Sequence, residues 1–262
     1  MENRNLGQQM LAEFIGTFAL VFIGAGSVAV LGRFIPADIS IIGVALAHGL
    51  VLAIVVTALG HISGAHFNPA ITLGLWVTGK IDAARAGVYW LTQLVAAVAA
   101  AGLLYGLLPK ILWGPSELGT PSISPQLKSV GFNAGRGLLV EAVLTFFLVL
   151  TVFATAIDER GAWKQVAGLA IGLVLTFDIL MGGLLTGAAM NPARWFGPAL
   201  VTGSWNDWWV WVFGPLAGGV IAAVIYQAAF LRPPAVDDEE LELTEEVDVV
   251  DVEQGPEPTT EA

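Results

Sequence analysis

The chain has 262 residues, of which 56% are hydrophobic and 13% are charged, and it contains 0 Cys and a formal net charge of -11. A soluble domain carries roughly 25% charged residues, so this composition excludes an ordinary water-soluble globule. The lack of cysteine excludes disulfides and thiol chemistry. The negative charge is local, because residues 233–262 hold twelve acidic and no basic side chains, whereas residues 1–232 are nearly neutral. We therefore expect a membrane-embedded body and a separate acidic tail.

Six apolar runs are long enough to cross a bilayer, for which a helix needs about 20 mostly apolar residues. Helices are favoured over a β-barrel because the runs are unbroken and lipid offers the backbone no hydrogen-bond partner. The first run is too long for a signal peptide. The predicted spans are approximately Met10–Leu31, Ala37–Leu59, Ala83–Leu108, Gly135–Ile157, Gln165–Gly183 and Trp208–Leu231.

The basic residues between the spans predict the orientation, since Lys and Arg accumulate in cytoplasmic loops. This bias predicts a multi-pass protein of the cell membrane with both termini in the cytoplasm. One side of the predicted topology holds Arg4, Lys80, Arg85, Arg160, Lys164 and Arg232, and the other side holds Arg33, Lys110, Lys128 and Arg136.

The longest connection and the tail differ in character. The connection Pro109–Phe132 contains four prolines, and we expect an ordered external segment without helix. In the tail, Pro233 and Pro234 end the last helix, and the run Asp237–Glu240 repels itself, so we expect disorder. A solubilising role and a docking role both remain open. The predicted domains are a channel domain over residues 1–232, with halves of about 8–108 and 135–231, and an acidic tail over residues 233–262.

Two stretches of the chain resemble each other. Glu13-Phe14-Ile15-Gly16-Thr17 in the first half matches Glu141-Ala142-Val143-Leu144-Thr145 in the second, and a Gly-Ala-x-x-Asn-Pro-Ala segment follows in each half. Each half holds three spans, an odd number, so the second copy must insert upside down. The sequence thus predicts an inverted repeat with a pseudo-two-fold axis in the membrane plane.

The two Asn-Pro-Ala segments predict helices that begin in the middle of the membrane. They consist of Asn68, Pro69 and Ala70, and of Asn191, Pro192 and Ala193. Asn suits an N-cap and Pro suits the first helical turn. The apolar runs that follow, Ala70–Thr78 and Ala193–Val201, are too short to cross. Upstream, Gly60–Phe67 and Gly182–Met190 are predicted as non-helical, and irregular backbone at this depth must be buried in protein or line a cavity.

Paired Asn-Pro-Ala segments in inverted halves, with Arg194 after the second, resemble the aquaporin (major intrinsic protein) family. Ala47-His48-Gly49 and Ile179–Gly183 are most similar to its tonoplast-type and archaeal branches, and Tyr89–Gln93 resembles its third span. The resemblance implies an all-α membrane protein of six transmembrane helices and two re-entrant half-helices. It also implies a homotetramer in the lipid bilayer with one pore per subunit.

The family resemblance, together with the residue chemistry, suggests roles for individual residues. The positive ends of the two half-helices oppose protons and other cations, and the Asn68 and Asn191 amides donate to passing water. Glu13 and Glu141 are implied braces of the re-entrant loops, with Gln93 as a further support; a proton-coupled transport site is the alternative for these acids. The implied pore-lining carbonyls belong to Ile62, Ser63, Gly64, Ala65 and His66, and to Gly187, Ala188, Ala189 and Met190.

The family's spacing implies a narrow selectivity filter made of His48, Ile179, Ala188 and Arg194. His48 can donate or accept a hydrogen bond, and Arg194 supplies a fixed cation. This set departs from the water-only pattern of Phe, His, Cys and Arg, and it is similar to tonoplast-type filters. Trp195 stands after Arg194 where glycerol facilitators have Asp, which favours water. A second departure is Asp178, for which we expect a bracing contact to Ile179 or a pairing with a donor.

The predicted function is a passive transmembrane channel for water that excludes protons and ions. Ammonia and small neutral solutes stay open as further permeants. The alternatives are a glycerol-type facilitator and a proton-coupled transporter that uses Glu13, Glu141 and Asp178. No nucleophile–base pair, metal cluster or phosphate-binding loop stands out in the sequence. We therefore expect no enzyme activity, no catalytic residue, no cofactor, no metal and no nucleic-acid partner.

Overall fold

The computed structural model describes residues 5–160 and 166–231. Within these ranges the chain is helical without β-strand, and six helices are long and apolar enough to span a membrane. The predicted fold class is therefore confirmed. The six spans are α1 (Leu6–Phe34), α2 (Ala37–Ser63), α4 (Ala83–Leu107), α7 (Ala134–Val152, continued by a π-helical turn Phe153–Ile157), α8 (Ala167–Thr186) and α10 (Trp209–Ala229).

Two short helices, α3 (Pro69–Val77) and α9 (Pro192–Thr202), lie between the spans. They have 9 and 11 residues, about 14 and 16 Å at 1.5 Å per residue, so neither can cross the membrane. Each begins with Pro in its first turn and with an Asn side chain that caps the free backbone N–H groups. The predicted half-helices therefore form, within one residue of their predicted ends.

Two sequence predictions about irregular backbone are wrong in part. The α2 helix continues to Ser63 and α8 to Thr186, so the non-helical stretches shorten to residues 64–68 and 187–191. Gly64 and Gly187 stop the helices because they adopt the left-handed conformation, with φ of 90° and 82°. The connection Pro109–Phe132 also contains helix: α5 (Lys110–Trp113), a 3₁₀ turn (Gly114–Gly119) and α6 (Pro125–Ser129).

The second and fifth spans touch backbone to backbone. A Cβ atom added to Gly49 of α2 would lie 2.5 Å from the Gly172 carbonyl oxygen, and one added to Gly172 would lie 2.3 Å from the Gly49 oxygen. Such close approach through small residues is how helices associate in lipid, where no hydrophobic effect draws them together. It holds the helix that carries His48 against the helix that carries Ile179.

Some predictions concern residues outside the described ranges. The acidic tail 233–262 is one of these, and so are Arg4, Lys164 and Arg232, which contributed to the predicted orientation. The division at residue 232 and the cytoplasmic position of both termini therefore stay predictions.

A polar cluster links the connection after α7 to the end of α10. Asp158 accepts hydrogen bonds from the Arg160 side chain at 2.7 and 3.0 Å and from the Tyr226 hydroxyl at 3.1 Å. Arg160 also donates to the Phe230 carbonyl. The Arg160 guanidinium and backbone N–H hold the pKa of Asp158 well below its usual value.

We expect Asp158→Asn to lower the thermal unfolding temperature of the detergent-solubilised protein at pH 7. Because the folded-state pKa of Asp158 is depressed, its stabilisation is present above the unfolded pKa of about 3.9 and is lost as pH falls below it. The difference from wild type should thus be constant between about pH 5 and 8 and shrink below about pH 4. Arg160→Gln should behave in the same way. A difference that did not change with pH would contradict this assignment.

Candidate functional site

The first turns of the two half-helices meet through reciprocal hydrogen bonds. The Asn68 side-chain Nδ2 donates to the Met190 carbonyl at 2.8 Å, and the Asn191 Nδ2 donates to the Phe67 carbonyl at 2.9 Å. Each Asn oxygen caps its own helix, Asn68 Oδ1 accepting from Ala70 N at 2.8 Å. An amide nitrogen carries two hydrogens, so each asparagine keeps one N–H for another partner.

The buried carboxylate of Glu13 holds the first re-entrant loop. It accepts hydrogen bonds from the backbone N–H groups of His66 at 2.9 Å and Phe67 at 2.8 Å, and from the Ser63 hydroxyl at 2.7 Å. Gln93 of α4 donates a fourth, at 2.8 Å. A carboxylate at 0% exposure is costly unless such donors surround it.

Glu141 repeats this arrangement in the second half. It accepts from Ala189 N at 3.0 Å, Met190 N at 2.8 Å and the Thr186 hydroxyl at 2.6 Å. No described side chain takes the place of Gln93, so Glu141 has three donors where Glu13 has four. The repeat that is visible in the sequence is thus also a repeat of hydrogen bonds.

Both re-entrant loops contain left-handed backbone at matching positions, which ordinary side chains adopt only at a cost. The pattern turns successive peptide groups so that the N–H groups point to the buried glutamate. The non-glycine residues concerned are Ala65 (φ 51°) and Phe67 (φ 50°) in the first loop, and Ala188 (φ 43°) and Met190 (φ 50°) in the second.

A narrow cavity runs beside the junction of the half-helices, with about 350 Å³ of empty space including its open part. Both pore asparagines, Asn68 and Asn191, border it. The lining combines polar side chains and re-entrant loop residues with aliphatic side chains. The first group is His48, His66, Phe67, Asn68, Ala188, Ala189, Asn191 and Arg194, and the second is Leu20, Leu52, Ile71, Leu148 and Leu175.

Of the four predicted filter residues, three border the cavity: His48, Ala188 and Arg194. Ile179 does not; its side chain is 2% exposed and belongs to the same hydrophobic cluster as Ala188. A helix residue can be near the lumen and still point into the packing between helices, and spacing in the sequence does not separate these two cases.

Arg194 and His48 are in contact. The Arg194 Nη1 atom donates to the Gly119 carbonyl at 2.7 Å, and Nη2 lies 3.4 Å from His48 Nε2. His48 Nδ1 is 2.8 Å from the Val44 carbonyl, which can only accept. This bond places the proton on Nδ1 and leaves Nε2 as an acceptor toward the guanidinium. In a neutral His48, Nε2 is therefore the acceptor that faces the Arg194 guanidinium.

Three of the residues with predicted pore-lining carbonyls border the cavity, namely His66, Ala188 and Ala189. For Ile62, Ser63, Gly64, Ala65, Gly187 and Met190 the pore-lining role stays a prediction. The Ser63 carbonyl accepts the Tyr89 hydroxyl at 2.8 Å, and that of Met190 accepts Asn68.

The structure adds contacts that the sequence did not suggest. The Gly119 carbonyl comes from the Pro-rich connection and reaches Arg194 across the fold. Trp211 Nε1 donates to the Thr186 carbonyl at 3.0 Å, as Tyr89 does to Ser63 in the other half. The Trp211 ring stacks on Trp195 at 6.0 Å between centroids.

Asp178 lies buried in α8, at 1% exposure. Its Oδ2 atom has no hydrogen-bond partner among the described residues, so the predicted pairing with a donor is not found there. Within those residues no group of His, Cys, Asp or Glu is arranged to hold a metal ion.

Six spans, two half-helices that meet end to end and a narrow cavity beside them define a membrane channel protein. Comparison with known proteins gives the family. Residues 1–226 match the major intrinsic protein family, and the chain belongs to this family, as the sequence analysis predicted. Members of this family are channels and not enzymes, so the chain is not an enzyme.

Curated relatives support the same placement. The chain is 43% identical to Aquaporin TIP4-4 of Zea mays, over 85% of this chain and 86% of that protein. It is 42% identical to Aquaporin TIP4-1 of Arabidopsis thaliana, over 88% and 90%. Among solved structures, it is similar to an aquaglyceroporin from Plasmodium falciparum, with a TM-score of 0.74 and 24% identity, covering 86% of this chain and 97% of that one. At that identity the match concerns the fold alone.

Proposed function

We propose that the protein is a passive water channel that excludes protons and ions. The observation that carries this proposal is the pair of asparagine amides that border one narrow cavity, each with one N–H left after capping and cross-bonding. A water oxygen held by these two donors points its hydrogens away along the lumen. That orientation interrupts the chain of hydrogen bonds along which a proton would travel.

Electrostatics add to this exclusion. The N-termini of α3 and α9 each carry roughly +0.5 of an elementary charge, and both face the middle of the lumen. Arg194, at 2% exposure, adds a full positive charge near one end. A cation that enters is repelled by this positive field, whereas a neutral water is not.

The roles of the filter residues follow from their positions. Arg194 and His48 are the donor and acceptor at the narrow end, and Ala188 is the small residue beside them. Ile179 is 2% exposed and belongs to the same hydrophobic cluster as Ala188, and we assign it a packing role. The leucines and Ile71 in the cavity lining offer water no hydrogen bond, which keeps its residence short.

Water is the proposed main permeant, and glycerol is the second candidate. The named relatives at 43% and 42% identity are aquaporins, while the aquaglyceroporin resembles the chain in fold. Proteoliposomes that contain the purified protein should shrink fast in a sucrose gradient and admit glycerol slowly. Ammonia influx, followed with an internal pH dye, tests the remaining neutral permeant. A rate of water efflux equal to that of empty vesicles would refute the proposal.

The contacts of the buried acids argue against a proton-coupled transporter. Glu13 and Glu141 are occupied by four and three donors within the protein. A carrier acid must release its partners at each cycle, and here release would leave buried N–H groups unpaired. We therefore infer that both are braces. Water flux in proteoliposomes should not depend on membrane potential or on a pH gradient.

The location and assembly are also proposals. The chain is a multi-pass membrane protein, and we propose a homotetramer with one pore per subunit. The cell membrane is the location predicted from the sequence; the TIP-type relatives make the vacuolar membrane the competing one. Imaging of a fluorescent fusion in the source cells, and mass measurement in detergent, test these two points.

We predict that mercurials do not inhibit this channel. The chain has 0 Cys, and Ala188 occupies the loop position beside the cavity where a thiol could block the lumen. Water efflux from proteoliposomes with 0.1 mM-scale mercuric chloride should match the untreated rate, and the variant Ala188→Cys should become sensitive. Inhibition of the unsubstituted protein at thiol-selective doses would contradict this prediction.

A further inference from the structure

The connection between α4 and α7 contains a turn with unusual backbone conformation. Three consecutive residues are left-handed: Glu117 (φ 48°), Leu118 (φ 59°) and Gly119 (φ 71°). Two of them carry side chains, for which this conformation is unfavourable. Such strain persists only where the surroundings hold it, and it concentrates at functional sites. We call these three residues the left-handed turn.

The side chain of Leu118 anchors the left-handed turn. It is 0% exposed and packs in a cluster with Val21 and Ala25 of α1, the alanines of α4 and Ala193 of the second half-helix. The backbone of Gly119 also lies against α1, since an added Cβ would be 2.6 Å from the Ala25 carbonyl oxygen. A side chain at position 119 would therefore push the turn away.

Further contacts close the turn and connect it to the second re-entrant loop. Thr120 donates to the Glu117 carbonyl from its hydroxyl at 2.5 Å and from its backbone N–H at 3.1 Å. The next residue, Pro121, packs against Gly187, where an added Cβ would lie 2.7 Å from the Pro121 Cα. The segment is thus held against both α1 and the second re-entrant loop.

The contacts of the left-handed turn fix the position of the Gly119 carbonyl oxygen. Gly119 accepts the short hydrogen bond from Arg194 Nη1, at 2.7 Å. The other side-chain contact of the guanidinium, to His48, is longer at 3.4 Å, and Nε has no partner among the described residues. The Gly119 carbonyl is therefore the contact that fixes where Arg194 stands in the lumen.

We propose that the left-handed turn, anchored by Leu118, is a specificity-determining element: it holds Arg194 in the position that narrows the lumen against neutral solutes larger than water. Leu118 is a positioning residue that acts through Gly119 and does not itself touch the permeant. This inference rests on the proposed water-channel function.

The test compares water and glycerol permeability in proteoliposomes for two pairs of variants. Leu118→Ala removes the anchor, and Leu112→Ala makes the same change at a half-buried leucine of α5. Glu117→Pro forces φ to about −65° at an exposed position, and Glu117→Gly permits the left-handed φ there. We expect the ratio of glycerol to water permeability to rise about tenfold in Leu118→Ala and Glu117→Pro. Leu112→Ala, Glu117→Gly and the conservative Leu118→Met should keep the wild-type ratio.

A double variant separates positioning from general damage. If Leu118 acts through Arg194, then Leu118→Ala should add nothing to the ratio already raised by Arg194→Val. An unchanged ratio in Leu118→Ala and Glu117→Pro would overturn the proposal, and so would full additivity in the double variant. Loss of the folded peak on gel filtration in both Leu118→Ala and Glu117→Pro would also overturn the proposal, because the turn would then support the fold and not the filter. Failure of the wild-type protein to conduct water would instead refute the proposed function.

Discussion

Replacing Glu13 or Glu141 with alanine is expected to cost about 3–9 kcal/mol of stability and to abolish the folded channel. Each change leaves at least three buried donors unpaired, and an unpaired buried donor costs about 1–3 kcal/mol. The measurement is the fraction of folded protein during denaturant titration in detergent micelles. Glu13→Ala should be the more damaging of the two because it removes an acceptor from four donors, and Gln93 then keeps only its 3.1 Å bond to the Thr72 hydroxyl.

Two further variants should lose less stability than Glu13→Ala. Glu13→Gln keeps one acceptor oxygen and should fall between wild type and Glu13→Ala. Gln93→Ala removes a single donor from Glu13 and should cost about 1–2 kcal/mol. If both alanine variants of the glutamates unfolded at the wild-type denaturant concentration, these acids would not be braces, and the transporter reading would regain support.

Replacing Arg194 with valine is expected to raise both proton leakage and glycerol permeability at least tenfold. A unit charge about 4 Å from a passing cation opposes it by about 4 kcal/mol at an effective dielectric constant near 20. Part of that barrier remains, because the half-helix ends still face the lumen. Proton flux in proteoliposomes, followed with an internal pH dye, and glycerol swelling measure the two effects.

An exposed arginine provides the control for this experiment. Arg33 lies near the end of α1, away from the cavity lining, and Arg33→Val should leave both fluxes at the wild-type level. Water permeability of Arg194→Val should stay within about threefold of wild type, since the Asn68 and Asn191 donors are untouched. Unchanged proton and glycerol fluxes in Arg194→Val would remove Arg194 from the proposed filter.

The fold was accessible to sequence analysis because its signals are local or repeated. A run of about 20 apolar residues forms a spanning helix whatever surrounds it. Asn before Pro predicts a helix start, and the structure places both half-helix starts at Asn68 and Asn191. The ends of α2 and α8 were predicted too early because a single glycine, Gly64 or Gly187, stops each helix later than the glycine-rich composition suggested.

The residues of the candidate site could be predicted from the sequence only in part. The spacing indicated His48, Ala188 and Arg194, which border the cavity, whereas the filter role of Ile179 stays a prediction. A residue's distance along a helix from a motif fixes its height in the membrane within a turn. Which way the side chain points depends on how α8 is rotated against α2 and α7, and the Gly49–Gly172 contact that sets this rotation is a property of the packed pair.

By itself, the sequence determined the number of spans, the inverted repeat, the two mid-membrane helix starts and the pair of buried glutamates, because each follows from hydropathy, capping preference or internal similarity. Only the tertiary structure decided that Gly119 holds Arg194 and that Asp178 Oδ2 has no hydrogen-bond partner among the described residues. Gly119 and Arg194 are 75 positions apart in the chain. The hydrogen bond between them depends on how the helices and the left-handed turn pack against one another. No local sequence pattern predicts that packing.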